Sequence, residues 1–363
     1  MLKPISQPFC CGALNACFEL QMHLLKWLCD PTTAAADVTQ INLVPPRVPT
    51  QIEADWLWNF LYGRKPTRLE QAKIIAGMSA PEKTALLGWS NSVAAVFAQF
   101  LPTPPAWPTA PLVIAAPAWA AFKGLMEAFY ERGLKRGLPY LANGTPAAVN
   151  GVSYKSFVQA FCDAHRSHPD ALDLCVLCGG ELGDTPEVDH WISKGQYPLL
   201  SVCQNNLLPI CHDCNSSANK GEKPVHVSGC FDDWFHPYLR SGNGKVTVNY
   251  QLITRSVTCA AVNPTDEARV RNLDELLNLS TRWTKRFKAE YRIQQDDLRR
   301  IAKKKIESQQ GAVSQVEIQN HLQGEQSKLS PARPWFEVHY ALFTALLQQA
   351  RLDAWQTELG VAI

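Results

Sequence analysis

The chain has 363 residues, 46% of them hydrophobic, with 35 Lys and Arg against 33 Asp and Glu. That length suits two or three packed units, and the apolar share is that of a protein with a buried core. The formal net charge of +2 excludes a globally basic nucleic-acid binder, so any surface of that kind must be local.

No segment predicts a membrane span or a secretory signal. The apolar stretch 109–122 contains two prolines and is shorter than the roughly 20 residues that a spanning helix needs. Residues 1–28 are interrupted by Glu19, His23 and Lys26, with no small-residue cleavage site after them. Twelve cysteines, four of them in two CxxC pairs, favour metal ligation in a reducing compartment. We therefore expect a cytoplasmic protein that does not bind membranes.

Hydrophobic periodicity and turn residues predict a mostly helical chain. In chain order we predict helices at 10–29, 53–62, 68–100 (broken near 77–81), 118–136 and 152–168, a cysteine-rich segment at 170–225, a β-hairpin within 245–262, and helices at 266–310 and 334–359. The proline-rich stretch 101–117 predicts an extended connector.

These elements predict an α+β fold with three parts. Residues 1–150 form a helical region for recognition or partner docking, and residues 151–240 form a compact zinc-stapled core. Residues 241–363 form the hairpin and a helical C-terminal region. Nothing in 1–150 indicates chemistry.

The strongest motif is a pair of knuckles, Cys175-Val-Leu-Cys178 and Cys211-His-Asp-Cys214. Each knuckle can turn two thiolates toward one point, and two knuckles complete a tetrahedral Cys₄ shell for zinc. A filled shell has no open position, so this zinc is expected to be structural. A redox dithiol is the alternative, but it needs only one CxxC near a βαβ pattern, and no such pattern surrounds either knuckle.

The segment 187–224 reads EVDHWISKGQYPLLSVCQNNLLPICHDCNSSANKGEKP. With the first knuckle, it resembles the HNH, or ββα-metal, endonuclease family in its four-cysteine form. The resemblance rests on an Asp-His pair ending a strand, a loop, an Asn, an apolar strand, and a second CxxC followed at once by Asn and then by a lysine-bearing helix. It covers residues 175–224, roughly one seventh of the chain.

The residue types fit phosphodiester hydrolysis, which needs an activated water and neutralisation of charge at the phosphate. Asp189 and Asn215 offer oxygen ligands suited to a catalytic Mg²⁺ or Mn²⁺. His190 follows Asp189 on an extended strand and should point to the opposite face, which favours a general base over a ligand of the same ion. Many members of the family have His where this chain has Asn215, and Asn shifts the expectation toward the harder cations.

The resemblance implies that the middle Asn ties the His190 loop to the hairpin through side-chain to backbone hydrogen bonds. Asn206 and Asn205 both remain candidates, and the nine-residue spacing to Asn215 favours Asn206. Lys220 and Lys223 are candidates for contact with substrate phosphate. His212, inside the second knuckle, is expected to have a surface role.

The leading hypothesis is therefore a metal-dependent endonuclease acting on DNA, with RNA left open as a substrate. The rival is a catalytically silent, zinc-stapled module that binds nucleic acid or protein. Nucleases that resemble this one occur as effectors of bacterial anti-phage and restriction systems, which suggests by analogy a protein partner such as an ATPase. The basic run 299–305 is predicted to be a solvated helix face, with a nucleic-acid track as the alternative.

Overall fold

The structure is a computed structural model, and it describes residues 3–63, 67–166, 173–227, 229–251 and 253–361. Helices come first, as the sequence predicts. They are α1 (Cys11–Leu28), α2 (Gln51–Tyr62), α3 (Thr67–Ala76), α4 (Ala80–Ala94), α5 (Ala116–Ala128) and α6 (Tyr154–Arg166). The predicted break near 77–81 separates α3 from α4, where the Glu82 carboxylate accepts a hydrogen bond from the backbone N–H of Ser79 at 2.9 Å.

Helix α5 does not end at Ala128 but continues into a π-helical turn, Phe129–Leu134. Such turns insert an extra residue into the helix and change the direction in which the following side chains project. Phe129, Tyr130, Gly133 and Leu134 are buried, whereas Arg132 is exposed. The turn therefore faces the rest of the chain with one side and solvent with the other.

Two short strands, β1 (Glu187–His190) and β2 (Leu207–Ile210), pair antiparallel, with Glu187 opposite Ile210 and His190 opposite Leu207. A single helical turn, α7 (His212–Asn215), follows β2 directly. The expected lysine-bearing helix is thus shorter than predicted, and Lys220 and Lys223 both lie beyond its end. The predicted hairpin is present as β3 (Val246–Gln251) and β4 (Ser256–Ala261), also antiparallel.

The C-terminal helices are α8 (Glu267–Leu277), α9 (Leu279–Glu307), α10 (Gln315–Ser327), α11 (Phe336–Leu346) and α12 (Gln349–Val361). The predicted helix 266–310 is divided at Asn278, whose φ of 49° lies in the left-handed region that Asn tolerates. No element was predicted for 311–333, where α10 forms. Its signal is Ser314-x-x-Glu317, in which the two side chains cap the helix start reciprocally.

Buried apolar side chains from all three predicted parts, from Cys10 to Leu359, form one continuous core cluster. Within the described residues the fold is α+β: helices with two small antiparallel sheets, of which β1–β2 packs against α6 and α7, and β3–β4 packs against α8, α9 and α11. In the described ranges no helix combines the length and the apolarity that crossing a bilayer requires. The basic run on α9 is largely solvated and ion-paired, for example Arg299 with Asp296 and Lys303 with Glu307, as the sequence predicts.

Candidate metal centre and catalytic pocket

The four knuckle cysteines converge on one point. Their sulfurs all lie within 4.8 Å of one another, with Cys175 3.9 Å from Cys214 and Cys178 3.8 Å from Cys211. A tetrahedron of sulfurs, each about 2.3 Å from zinc, has edges of about 3.8 Å. The distances therefore fit one metal ion and are far too long for disulfides, and all four cysteines are free. The four thiols are positioned to bind one metal ion, consistent with structural zinc.

Groups from outside the knuckles surround these sulfurs. The backbone N–H of Gly180 donates to Cys178 Sγ at 3.4 Å, and a guanidinium N–H of Arg282 on α9 donates to Cys214 Sγ at 3.3 Å. Burial by itself lowers the pKa of Arg282, but the sulfurs of Cys214 and Cys178 outweigh it and raise that pKa above its ordinary value. Trp283 donates its indole N–H to the Cys178 carbonyl oxygen at 3.3 Å. Helix α9 is thus docked directly on the metal centre.

Strand β1 borders a cavity of about 400 Å³, which we call the β1 pocket. Its lining residues come from β1 and the segment after it, from α7 and the segment after it, from the N-terminal region and from the start of α6. They are Tyr130, Glu131, Lys135, Tyr154, Glu187, Val188, Asp189, His190, Ser193, Lys194, Asn215, Gly221 and Glu222. Asp189, His190 and Asn215 therefore share one pocket. Asp189 and His190 were expected on opposite faces of β1, and their side chains contact different groups, Lys220 and the Ser201 carbonyl oxygen.

His190 is buried and held in one tautomer. Its Nε2 lies 2.9 Å from the carbonyl oxygen of Ser201, and because a carbonyl only accepts, Nε2 carries the proton. The lone pair of the neutral ring is then on Nδ1. Burial, with the positive charge of Lys194, lowers the pKa of His190 to about 3. The ring is also fixed by an edge contact with Tyr130, at 4.5 Å between centroids. His190 therefore stays a neutral proton acceptor near pH 7.

Asp189 is buried beside a buried lysine. Lys220 Nζ lies 2.8 Å from Asp189 Oδ2 and donates to the His190 carbonyl oxygen at 2.8 Å. Burial raises the pKa of Asp189, and the ammonium of Lys220 opposes this rise. The lysine thus compensates a carboxylate that the pocket would otherwise leave unpaired.

The expected phosphate contacts of Lys220 and Lys223 do not fit this arrangement. The Lys220 side chain is fully buried, and its ammonium is turned inward toward Asp189. Lys223 is half-buried, does not line the β1 pocket, and donates to the Ala218 carbonyl oxygen at 3.1 Å. Both lysines follow the second knuckle closely in the chain, as the prediction requires. The turn at 216–223 nevertheless directs both amines toward backbone carbonyl oxygens of the protein itself.

Replacing Lys220 with methionine, which keeps the length and removes the charge, is expected to destabilise the fold by about 3–5 kcal/mol, because it leaves the Asp189 carboxylate buried without a partner. Urea unfolding followed by circular dichroism measures the loss. The double variant Lys220→Met with Asp189→Asn should recover much of it. A Lys220→Met protein as stable as wild type would show that the buried ion pair does not matter.

Asn206 holds the loop that follows β1. Its side-chain Oδ1 accepts from the backbone N–H of Ile192 at 2.7 Å, and its Nδ2 donates to the carbonyl oxygens of Ile192 at 2.9 Å and Leu200 at 3.1 Å. These are hydrogen bonds of the kind the sequence analysis expected of the middle Asn. Asn205 instead bonds to Gln7. Asn206 is thus a positioning residue rather than a group that reaches the pocket.

Asn215 is oriented by Glu187, a residue the sequence analysis did not single out. The Asn215 Nδ2 donates to Glu187 Oε2, which turns its Oδ1 away from that carboxylate. His212 Nδ1 lies 2.7 Å from the other Glu187 oxygen. Hydrogen bonds from Asn215 and His212 lower the pKa of Glu187 below its usual range. The period-2 alternation of β1, which puts Glu187 on the face of Asp189, was the available signal.

Residues 130–135 of the N-terminal region, together with Tyr154 at the start of α6, supply one wall of the pocket, which the sequence did not reveal. Tyr130 donates its hydroxyl to the Val188 carbonyl oxygen at 3.1 Å, and Tyr154 accepts from the Val188 N–H at 3.0 Å. The two tyrosine hydroxyls thereby provide hydrogen-bond partners for the backbone N–H and carbonyl oxygen of Val188, in the middle of β1. The Glu131 carboxylate on the same wall pairs with both Lys135 and Lys194.

Comparisons with known proteins add little. Over 67 residues the chain is 36% identical to Protein ea31 of Escherichia phage lambda, a match that covers 18% of this chain. The chain spans about a fifth of the length of that relative, 21%. No protein-family model matches the chain, and no solved structure matches it.

Proposed function

We propose that this protein is a metal-dependent nuclease of the HNH type that hydrolyses phosphodiester bonds in the β1 pocket. The observation that carries the proposal is the meeting of three groups in one pocket: the neutral imidazole of His190, the carboxylate of Asp189 and the amide of Asn215. Structural zinc in the cysteine cluster would stabilise the strands and the turn that bring these groups together.

His190 is the general base. Its Nε2–H is tied to the Ser201 carbonyl oxygen, so the lone pair on Nδ1 is the acceptor for a proton from the attacking water. A buried, neutral imidazole is a weak base. The same low pKa keeps Nδ1 unprotonated at neutral pH, so the acceptor is available whenever a water is bound beside it.

The oxygen donors on the pocket wall suit a hard divalent cation. Asp189, Asn215 and Glu187 would hold Mg²⁺ or Mn²⁺, since carboxylate and amide oxygens are the ligands these ions prefer. A bound ion would neutralise the phosphate charge and stabilise the leaving oxygen. Glu187 orients the Asn215 amide for this role. The buried ammonium of Lys220 lowers the free-energy cost of burying the Asp189 carboxylate.

Substrate phosphate is bound by Lys194 and Lys135 in place of Lys220 and Lys223. Both amines line the β1 pocket, and the Lys135 side chain is about half exposed, at 48%. Each is paired with Glu131, which keeps them over the pocket before substrate arrives. A substrate phosphate would replace the Glu131 carboxylate as the partner of the two ammonium groups, which are already in position to bind it.

The proposal is tested by incubating zinc-loaded protein with supercoiled DNA, single-stranded DNA and RNA, each with Mg²⁺, with Mn²⁺ or with no added divalent cation. We expect nicking or cutting of DNA with Mg²⁺ or Mn²⁺ that is absent without an added cation and returns when one is supplied. The product ends are analysed by gel electrophoresis. Each assay includes His190→Ala protein purified in parallel, which removes the proposed base and controls for contaminating nuclease.

Two results would contradict the proposal. Cleavage that is equal in wild-type and His190→Ala protein would belong to a contaminant. A complete absence of cleavage on all three substrates, by folded protein with a full complement of zinc, would favour the catalytically silent binding module instead.

A further inference from the structure

Three arginines converge on a second, smaller cleft beside the β1 pocket. Arg68, Arg132 and Arg136 line a cavity of about 160 Å³ together with the aromatic rings of Trp56 and Phe60; we call it the arginine cleft. Arg132 and Arg136 are exposed and project from the π-helical turn and the residues just after it. Arg68 reaches the cleft from the first turn of α3, as its second residue.

The Arg68 guanidinium is fixed in place. It stacks over the Phe60 ring at 4.9 Å from the centroid, and its Nε donates to the Phe60 carbonyl oxygen at 2.5 Å. A Cβ at position 63 would meet a terminal nitrogen of Arg68 at 2.3 Å, so a larger residue there would displace the end of the guanidinium. The arginine cleft therefore has the rings of Trp56 and Phe60 in its wall and the guanidinium of Arg68 held in place by two contacts with Phe60.

The three guanidinium groups have no carboxylate partner within the ranges that the structure describes. The basic run on α9 is the contrast, since Arg299, Arg300, Lys303 and Lys305 each pair with an acidic side chain. Burial, with the nearby charges of Arg132 and Arg136, lowers the pKa of Arg68. Three guanidinium groups without a carboxylate partner can all donate hydrogen bonds to one anion that has several oxygens, such as phosphate, and bind it strongly.

The cleft adjoins the β1 pocket through a single helical segment. Glu131 and Lys135 line the pocket, whereas their immediate neighbours Arg132 and Arg136 line the cleft. Consecutive Cα atoms are about 3.8 Å apart. The two cavities therefore share the segment 131–136 as a wall, and a nucleic-acid strand that reached both would meet cations in each.

We propose that the arginine cleft binds the backbone of the nucleic-acid strand flanking the scissile phosphate. Arg132 and Arg136 contact its phosphates, Arg68 fixes the position of one of them, and the ring of Trp56 gives the adjoining sugar or base an apolar surface. This inference rests on the proposed nuclease function, because it names the substrate contacts of that same site. The N-terminal region thereby acquires a role in holding substrate.

The test is binding without cleavage. His190→Ala protein is titrated, with no divalent cation added, against fluorescein-labelled 20-base-pair duplex DNA and 20-nucleotide single-stranded DNA and RNA, and fluorescence anisotropy is read across a salt series. Adding Arg132→Gln and Arg136→Gln should raise Kd about 10-fold or more near 0.1 M salt. The slope of log K against log salt should fall by roughly 1.4–1.8 for two lost phosphate contacts.

The matched control replaces Arg271 and Arg292, two exposed arginines of α8 and α9 outside both cavities, with glutamine in the same background. An equal loss in both double variants, or none in either, would overturn the proposal. So would an absence of measurable binding to all three probes.

Activity assays keep this inference separable from the proposed function. In the wild-type background, Arg132→Gln with Arg136→Gln should slow cleavage of long DNA but leave hydrolysis of bis(4-nitrophenyl) phosphate unchanged, since that small diester cannot reach the cleft. A selective binding loss without any wild-type cleavage would reject the nuclease and keep the cleft. Normal cleavage of long DNA by the double variant would reject the cleft and keep the nuclease.

Discussion

Replacing Cys214 with serine, or removing the metal with a strong chelator, is expected to unfold the segment from Cys175 to Asn215. Structural zinc bound by cysteine contributes about 10–16 kcal/mol of apparent free energy at neutral pH. This contribution is as large as the whole free energy of unfolding of a typical domain, about 5–15 kcal/mol. The Cys214 sulfur also accepts the hydrogen bond from Arg282, so its loss loosens the docking of α9.

The measurements are zinc content by mass spectrometry and urea unfolding by circular dichroism and tryptophan fluorescence. We expect one zinc per wild-type chain, and less zinc with early unfolding in Cys214→Ser. Cys162→Ser is the matched control, since Cys162 is a half-buried free thiol outside the cluster. Wild-type protein that is stable without metal, or a Cys214→Ser variant that unfolds like Cys162→Ser, would contradict the zinc assignment.

Replacing His190 with alanine is expected to slow DNA cleavage by about 10²–10⁴-fold, the usual contribution of a positioned general base. The variant loses Nδ1 as proton acceptor and also the hydrogen bond to Ser201. That second loss destabilises the loop by about 1 kcal/mol, too little to unfold the protein. The rate loss should therefore appear in folded, zinc-loaded protein.

Initial rates of supercoiled DNA nicking give the comparison, with His321→Ala as the control because His321 lies on α10, outside the β1 pocket. Added imidazole should restore part of the rate in His190→Ala, since the substitution opens space in the pocket. His321→Ala should gain nothing from imidazole. Rates that differ less than threefold between His190→Ala and wild type would remove His190 from the mechanism.

Local patterns were sufficient for much of the fold. The CxxC spacing alone indicates a Cys₄ cluster, because two thiolates in one knuckle have few ways to point other than together. Most helices and the β3–β4 hairpin follow from periodicity and turn residues, which depend on near neighbours in the chain. The helix α10 was missed although its capping residues Ser314 and Glu317 are plainly readable.

The burial of individual side chains and their contacts with residues distant in the chain could not be predicted in this way. Lys220 reads as a solvent-exposed phosphate ligand, yet it is fully buried against Asp189 because the turn after α7 folds inward. Glu187 gains significance only when the register of β1 and β2 brings it beside Asn215. The alternation along β1 places Glu187 on the face of Asp189, but its contact with Asn215, like the burial of Lys220, depends on the tertiary fold.

The amino-acid sequence by itself determined the metal cluster, the Asp189-His190 pair and the order of the elements, since each depends on residues close together in the chain. Only the tertiary structure decided that Tyr130, Glu131 and Lys135 line the β1 pocket and that Arg68, Arg132 and Arg136 share a cleft. These contacts join residues dozens of positions apart, and core packing of the N-terminal helices against the β1–β2 region sets them.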